Sequence, residues 1–468
     1  MTCAQALTML LPIAAAPVVA VDLDRSRPWE DEVVYVVILE KFFNANPAND
    51  VMAGTYGKER SRYEGGLWGG DIEGIRSKLD DFVDLGVTSL LIYPVMQNDR
   101  RPMGKFLTTG YRPTDYFRVD ENFGDMHDLK RLVADAHSRG IKVILDMPLA
   151  LPGFEHPYMN DPAHAAWFGK PTEYGIRHWD ADNPEVADYL VEVAKFWRDE
   201  SGCDGFRMDS APLLSTEFWT RFVRDLKAGP DGRPTDFVIL AELAIDPPKI
   251  GRIVRECGFD GAYDFSFDAT QKVIGKSEKF GLLAKVLAAG EKHYPHPRRM
   301  MAQVDNYEVT EFLSVAKEPK QARLDVALTL LMTMDRVPFL YAGNEVGLVP
   351  KSAGDAFPAD RRDRPAYKHL KRLIAMRKAE PILRRGDWSQ VLSEKPIYAF
   401  LRTLTAGKIL VVLNTSDKPA PLKTDLGKTP WKEIAFDDIL QAHRSTKSAG
   451  DNTPLDLGPF EARVFKVR

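Results

Sequence analysis

Residues 125–146 read DMHDLKRLVADAHSRGIKVILD. Asp125 is a good helix cap, because its short carboxylate can take an unpaired backbone N–H at the start of the first turn. Leu129, Leu132, Val133 and Ala136 then recur at the spacing of one helical face, and Gly140 marks the stop. The next run, Ile141–Leu145, is apolar and β-branched, too short for a second helix, and ends on Asp146. A helix, a glycine, a buried strand and a carboxylate at the strand's end make one unit of an alternating α/β chain.

The same grammar extends both ways. Eight short apolar runs stand out: Val33–Leu39, Val87–Tyr93, Ile141–Leu145, Gly205–Met208, Phe237–Ala241, Phe259–Phe265, Met300–Val304 and Val337–Tyr341. Each has the length and composition of a parallel strand covered on both faces. Amphipathic segments lie between them. Asp71 caps one that sets Ile72, Ile75, Leu79, Phe82 and Val83 on a common face, and Asn183-Pro184 opens another with Val186, Tyr189, Leu190, Val193 and Trp197. Eight such units predict a (β/α)8 TIM barrel over residues 27–385, with a short insertion, 150–180, after the third strand. An open doubly wound sheet fits less well, since no glycine-rich phosphate turn follows the first strand. Beyond a helix around Tyr367–Lys378 the pattern changes to the alternating runs Ile397–Arg402, Ile409–Asn414 and Ala462–Val467. They predict an antiparallel C-terminal β-sandwich domain over 386–468.

Composition narrows the class. With 468 residues, 44% hydrophobic and 28% charged, the chain has the balance of a globular protein. A net charge of -4 supplies no electrostatic pull toward nucleic acid or an anionic membrane. Three Cys and nine His exclude a disulfide-stapled scaffold and a multi-finger zinc protein. Cys203 and Cys257 each follow a helix and read as buried thiols. Ala6–Val21 is apolar apart from Thr8, and Val18-Val19-Ala20 offers small residues for cleavage. Residues 1–20 therefore read as an export signal, which implies a periplasmic or extracellular location, and no other run reaches the length of a membrane span.

In such a barrel the chemistry sits at the C-terminal ends of the strands. Asp146 ends the third, Arg207 and Asp209 the fourth, Glu242 the fifth, and Asp305, Asn306 and Glu308 the seventh. Any one of these alone reads as a strand-end cap or ion pair. Together, in strand order, they read as a mouth of carboxylates around one arginine. Two carboxylates about 5–5.5 Å apart suffice for retaining glycoside hydrolysis.

These residues resemble the α-amylase family, glycoside hydrolase family 13, in its cyclomaltodextrinase and neopullulanase branch. Gly69-Gly70-Asp71-Ile72-Glu73-Gly74-Ile75, Gly110-Tyr111-Arg112-Pro113-Thr114-Asp115-Tyr116 and Val337–Glu345 are similar to its segments, and Asp204-Gly205-Phe206-Arg207-Met208-Asp209 is similar to its most specific motif. The resemblance implies Asp209 as nucleophile, Glu242 as acid/base and Glu308 as the third carboxylate. It implies Arg207 beside the nucleophile, Tyr111 as a stacking platform, and Asp146, Asn306 and Tyr307 as further sugar-binding positions.

Two motifs depart from the family. Ala150 and Leu151 stand where its third-strand motif has Asn and His, and Tyr307-Glu308 stands where its seventh-strand motif has His-Asp. The family's usual calcium ligand after the third strand is thus Ala150, and that site is expected to be lost. Another oxygen-rich set, Asn44, Asn46, Asn49, Asp50, Gly69 and Asp71, resembles a Ca²⁺ site of the cyclomaltodextrinase-like branch, and reads equally as an Asx-rich turn that needs no ion. Three activities stay open. The first is a retaining α-glycosidase on gluco-oligosaccharides, the second a transglycosylase on the same substrates, and the third a weakly active or inactive sugar-binding relative.

Overall fold

The computed structural model describes residues 23–50, 68–99, 110–171, 177–229, 235–264, 266–277, 281–306, 310–349, 355, 357–422, 436–440, 445–446 and 455–467. The leader at 1–20, Tyr307 and Glu308 lie outside the described residues.

The eight apolar runs become eight parallel strands: β1 (Val34–Val37), β2 (Ser89–Ile92), β5 (Lys142–Met147), β6 (Gly205–Met208), β7 (Val238–Ala241), β8 (Gly261–Ala262), β9 (Met301–Gln303) and β10 (Val337–Tyr341). They pair in the order β8-β7-β6-β5-β2-β1-β10-β9, and a parallel bridge from Tyr263 to Met301 joins the two outer members into a barrel. A hairpin, β3 (Met96–Asn98) and β4 (Pro113–Val119), rises between β2 and the next helix.

Strand side chains alternate between two apolar environments, which is why the runs are continuously hydrophobic. Val34, Val36, Leu91, Ile144, Leu240 and Phe339 fill the barrel's interior. Tyr35, Val37, Leu90, Val143, Leu145 and Ile239 face the helices.

The helix over Met126–His137 forms as its sequence dictates. Asp125 accepts the Asp128 N–H at 2.9 Å, Asp128 returns a bond from the Asp125 N–H at 3.2 Å, and Gly140 takes a φ of 72° after the last turn. The segment after Asp71 differs from expectation. It breaks into Ile72–Arg76 and Leu79–Leu85, with Lys78 outside helical geometry. The break turns the second piece, so Leu79, Phe82 and Leu85 stay buried while Val83 is 41% exposed.

The C-terminal unit is a six-stranded antiparallel sheet in the order β11-β12-β13-β18-β15-β16, with β14 and β17 paired beside it. Its strands are β11 (Asp387–Glu394), β12 (Ile397–Leu404), β13 (Gly407–Asn414), β14 (Ala420–Leu422), β15 (Phe436–Asp438), β16 (Ser445–Thr446), β17 (Leu455–Leu457) and β18 (Ala462–Val467). Arg402 of β12 reaches into the barrel side and donates to the carbonyls of Thr333, Leu383 and Gly386. Cys203 and Cys257 are buried and unpaired with each other.

Candidate active site

Strand register assembles the site. Asp146 of β5 lies directly opposite Arg207 of β6. Ile144 and Leu240 point into the barrel, so residues two further along, Asp146 and Glu242, point the same way at its C-terminal mouth. Arg207 and Asp209 share that face by the same period.

One guanidinium gathers the three carboxylates. Arg207 Nη1 lies 2.8 Å from both oxygens of Asp146 and 2.8 Å from Asp209 Oδ1, and its Nη2 lies 2.5 Å from Glu242 Oε1. Tyr111 donates its hydroxyl to Asp146 Oδ2 at 2.8 Å. The Tyr263 ring lies below the guanidinium, 5.4 Å from it. Ser210, directly after Asp209, takes a φ of 48°, and its N–H donates to Glu242 Oε2 at 3.0 Å. A left-handed conformation in a residue other than glycine is strained, and here it aims a backbone donor at a carboxylate.

The cluster is dry: Arg207 is 1% exposed, Asp146 1%, Asp209 5% and Glu242 8%. Three negative groups face one positive group, so full ionisation would bury two uncompensated charges. The protonation equilibria follow from that. Burial pushes Asp146 up to about 6 against the pull of Arg207 and the Tyr111 hydroxyl. Burial, with the charges of Glu242 and Asp146, raises Asp209 well above the carboxylate range, and Arg207 opposes the rise. Burial works against the charge on Arg207, and its carboxylate neighbours outweigh it. Burial and mutual repulsion therefore favour keeping a proton among these carboxylates. Such a cluster can offer one ionised and one protonated oxygen to the same bond.

A family-level match bears directly on this arrangement. The family described as Alpha amylase, catalytic domain, matches residues 37–168 and 163–359. The chain belongs to the α-amylase family. It is a glycoside hydrolase of that family, similar to Alpha-amylase 2 of Dictyoglomus thermophilum, 27% identical over 468 residues with 93% of this chain and 76% of that protein covered. It is also similar to a cyclomaltodextrinase of Thermoanaerobacter pseudethanolicus, 26% identical over 93% of this chain and 77% of that protein. Among solved structures, the α-amylase of Geobacillus thermoleovorans complexed with acarbose superposes with a TM-score of 0.80 at 26% identity, covering 94% of this chain and 99% of that one.

Within the α-amylase family barrel, Asp146, Arg207, Asp209 and Glu242 are brought together as expected from their strand ends, and Tyr111, given by the resemblance, joins them through Asp146. Asn306 lies buried just past β9. Tyr307 and Glu308 fall outside the described residues. Ala150 is fully buried in the apolar core and Leu151 half-buried against it, so no polar group stands at either position. Sequence reading missed Ser210 and Tyr263. Ser210 acts through its backbone, and Tyr263 belongs to an apolar run that reads only as core.

The oxygen-rich set after β1 is compact. Asn44 Nδ2 donates to Asp50 Oδ2 at 3.0 Å, while Asn44 Oδ1, Asn49 Oδ1 and Asp50 Oδ1 are buried with no hydrogen-bond donor among the described residues. The Gly69 backbone, at a φ of 76°, lies against them, and a Cβ there would meet Asp50 Oδ1 at 2.8 Å. Three buried acceptors with no donor fit a hard cation. Asp71 has another use. Its oxygens accept the N–H groups of Ala45, Asn46 and Gly74, capping the short helix and fixing the turn. Asn46 is exposed and enters through that backbone N–H. The donor set that fits Ca²⁺ is therefore Asn44, Asn49, Asp50 and the Gly69 backbone.

Proposed function

We propose that the protein is a retaining α-glycosidase hydrolysing α-linked gluco-oligosaccharides through a covalent glycosyl-enzyme. The observation that carries this is the single guanidinium of Arg207, which holds Asp209 and Glu242 on its two terminal nitrogens. Asp209 attacks the anomeric carbon as the glycosidic C–O bond breaks. Glu242 gives its proton to the leaving oxygen, then takes one from the water that cleaves the ester to Asp209. Forming the ester removes the Asp209 charge, and Arg207 turns fully to Asp146 and Glu242. Glu308 is assigned to the sugar hydroxyls at the reacting ring. The names of the similar proteins, α-amylase and cyclomaltodextrinase, support α-glucans as the substrate class.

Ca²⁺ is proposed for the Asn44–Gly69 set, where it would neutralise the buried acceptors and tie the loop after β1 to the helix capped by Asp71. Export is proposed from the Ala6–Val21 run, and periplasmic and medium fractions of an expressing cell test it. The reaction is tested by mass spectrometry with a 2-fluoro glucosyl fluoride. A covalent adduct on the peptide carrying Asp209 supports the assignment, and its absence from an active preparation removes it. Maltooligosaccharide products with and without added glucose measure how the intermediate divides between water and an acceptor sugar.

A further inference from the structure

The Arg207 guanidinium is held along its edge by groups that the proposed reaction itself changes. Its terminal nitrogens lie within 2.8 Å of Asp146, Asp209 and Glu242. Its Nε is buried and has no hydrogen-bond acceptor among the described residues. When Asp209 becomes an ester and Glu242 gives up and regains a proton, two of the three ionic contacts change strength within one turnover. A guanidinium fixed by those contacts alone would drift as they weakened.

A second hold lies on the flat side of the group. The centre of the Tyr263 ring is 5.4 Å from Arg207 Cζ, inside the about 6 Å over which an aromatic face attracts a cation. That attraction comes from the ring quadrupole and needs no ionised carboxylate. Tyr263 is buried, and burial holds its phenol above the ordinary tyrosine range, so the ring stays neutral. Its place is fixed by both neighbouring strands. The Tyr263 N–H donates to the Ala241 carbonyl of β7 at 3.2 Å, and the residue bridges to Met301 of β9 on the other side. The ring packs edge-on against Phe339 of β10, with centroids 5.8 Å apart. Since β7 and β8 pair Ala241 with Ala262, Tyr263 stands one step beyond, beside Glu242.

We propose that Tyr263 is a positioning residue for the reaction, its ring keeping the Arg207 guanidinium in place while the charges on Asp209 and Glu242 change. This rests on the roles given above to those two carboxylates. A shift of about 1 Å in a group that orients them costs about 10²-fold in rate. A tyrosine that only filled the barrel would affect stability, and would leave the pH dependence of the folded enzyme alone.

The test measures kcat, KM and their pH dependence for maltotriose in folded Tyr263→Phe and Tyr263→Leu. Tyr263→Phe keeps the aromatic face and should hold kcat within about three-fold of wild type. Tyr263→Leu removes the face and is expected to lower kcat about 10–100-fold, with KM within about two-fold. With Arg207 less firmly placed, its pull on Asp209 weakens and that carboxylate ionises at higher pH. The acid limb of kcat/KM should therefore move up by about 0.5 or more in pH. An unmoved acid limb overturns the proposal, and so does a Tyr263→Phe loss equal to that of Tyr263→Leu, which would place the effect in the hydroxyl. Arg207→Ala supplies the second arm. Adding Tyr263→Leu to it should change kcat/KM by less than about two-fold, because the group being held is gone. Losses that multiply in full would make Tyr263 structural and overturn the proposal while leaving the reading of the carboxylates intact. Wild-type activity in Arg207→Ala would refute that reading, and the proposal with it. If Tyr263→Leu does not fold, Tyr263→Met replaces it with a flexible apolar chain that has no aromatic face.

Discussion

Two buried arginines in this barrel each hold three carboxylates. Arg207 faces Asp146, Asp209 and Glu242 at the C-terminal mouth. Arg336, 0% exposed, faces Asp264 at 2.6 Å, Asp335 at 2.8 Å and Glu291 at 2.9 Å, beside the starts of β9 and β10. The charge count is the same, and so is the source of perturbation. Burial raises Asp146 to about 6, and burial with the Asp335 charge raises Glu291 to about 7. The surroundings differ. The Arg207 set closes the C-terminal end of the barrel, where the proposed reaction places a sugar against Asp209 and Glu242. The Arg336 set borders a cavity of about 220 Å³ between the barrel and β11, lined by Glu30, Glu291, Asp335 and Asp387. A perturbed carboxylate is thus evidence of burial first, and its place at or away from the C-terminal mouth of the barrel decides whether chemistry is expected there.

The sharpest separation should come from the nucleophile. Asp209→Asn removes a charge from the Arg207 set with little change in volume, and it is expected to lower kcat by more than about 10³-fold while maltooligosaccharide binding persists. Single-turnover and binding measurements check this, and more than a few per cent of residual activity, with deamidation excluded, would place the chemistry elsewhere.

Next come the arginines themselves. Arg336→Ala leaves three buried carboxylates without their counter-charge and should destabilise the fold by about 3–5 kcal/mol, with kcat of the folded fraction near wild type. Arg207→Ala should lower kcat/KM by at least about 10²-fold. Equal losses of activity in the two variants would erase the distinction between them.

The acceptors after β1 extend the comparison to a cluster whose counter-charge no described residue supplies. Ca²⁺ at 100 times its Kd should add about 2.7 kcal/mol of stability. Thermal melts with chelator and with Ca²⁺ check it, and the Asn44→Ala, Asp50→Ala double variant should melt alike in both. A wild-type melt indifferent to Ca²⁺ returns this segment to an Asx-rich turn.

The most gradual effect is a slope. Glu291 binds its proton more tightly in the folded protein, with a pKa of about 7 against an ordinary value of 4.5. Its contribution is fully present below pH 4.5 and is lost as pH rises through 7. Between those two values stability falls by about 1.4 kcal/mol for each pH step of one. Glu291→Gln should flatten stability between about pH 4.5 and 7, as measured by urea unfolding. An unchanged slope would mean that Asp335 or another group carries the proton.

Much of the barrel is legible because its strands are buried on both faces, so Val33–Leu39 or Val337–Tyr341 needs no alternation to be recognised. Elements facing solvent are harder. In β11 no residue is buried, and β4 buries only Pro113, Tyr116 and Val119, so neither shows a period of two. The helix break at Lys78 was hidden as well, because Val83 fits the face that the break rotates away.

The sequence by itself determined the order of strands and helices, the carboxylates at their ends and the family they resemble. Those are properties of local spacing and of which residues must avoid water. The tertiary structure alone decided that one guanidinium serves Asp146, Asp209 and Glu242, that Arg336 repeats the pattern away from the mouth, and that Gln271 reaches Val304, Asp305 and Thr310. Each depends on atoms brought within about 3 Å from distant parts of the chain, and hydrogen-bond strength falls too steeply with distance and angle for residue order to specify it.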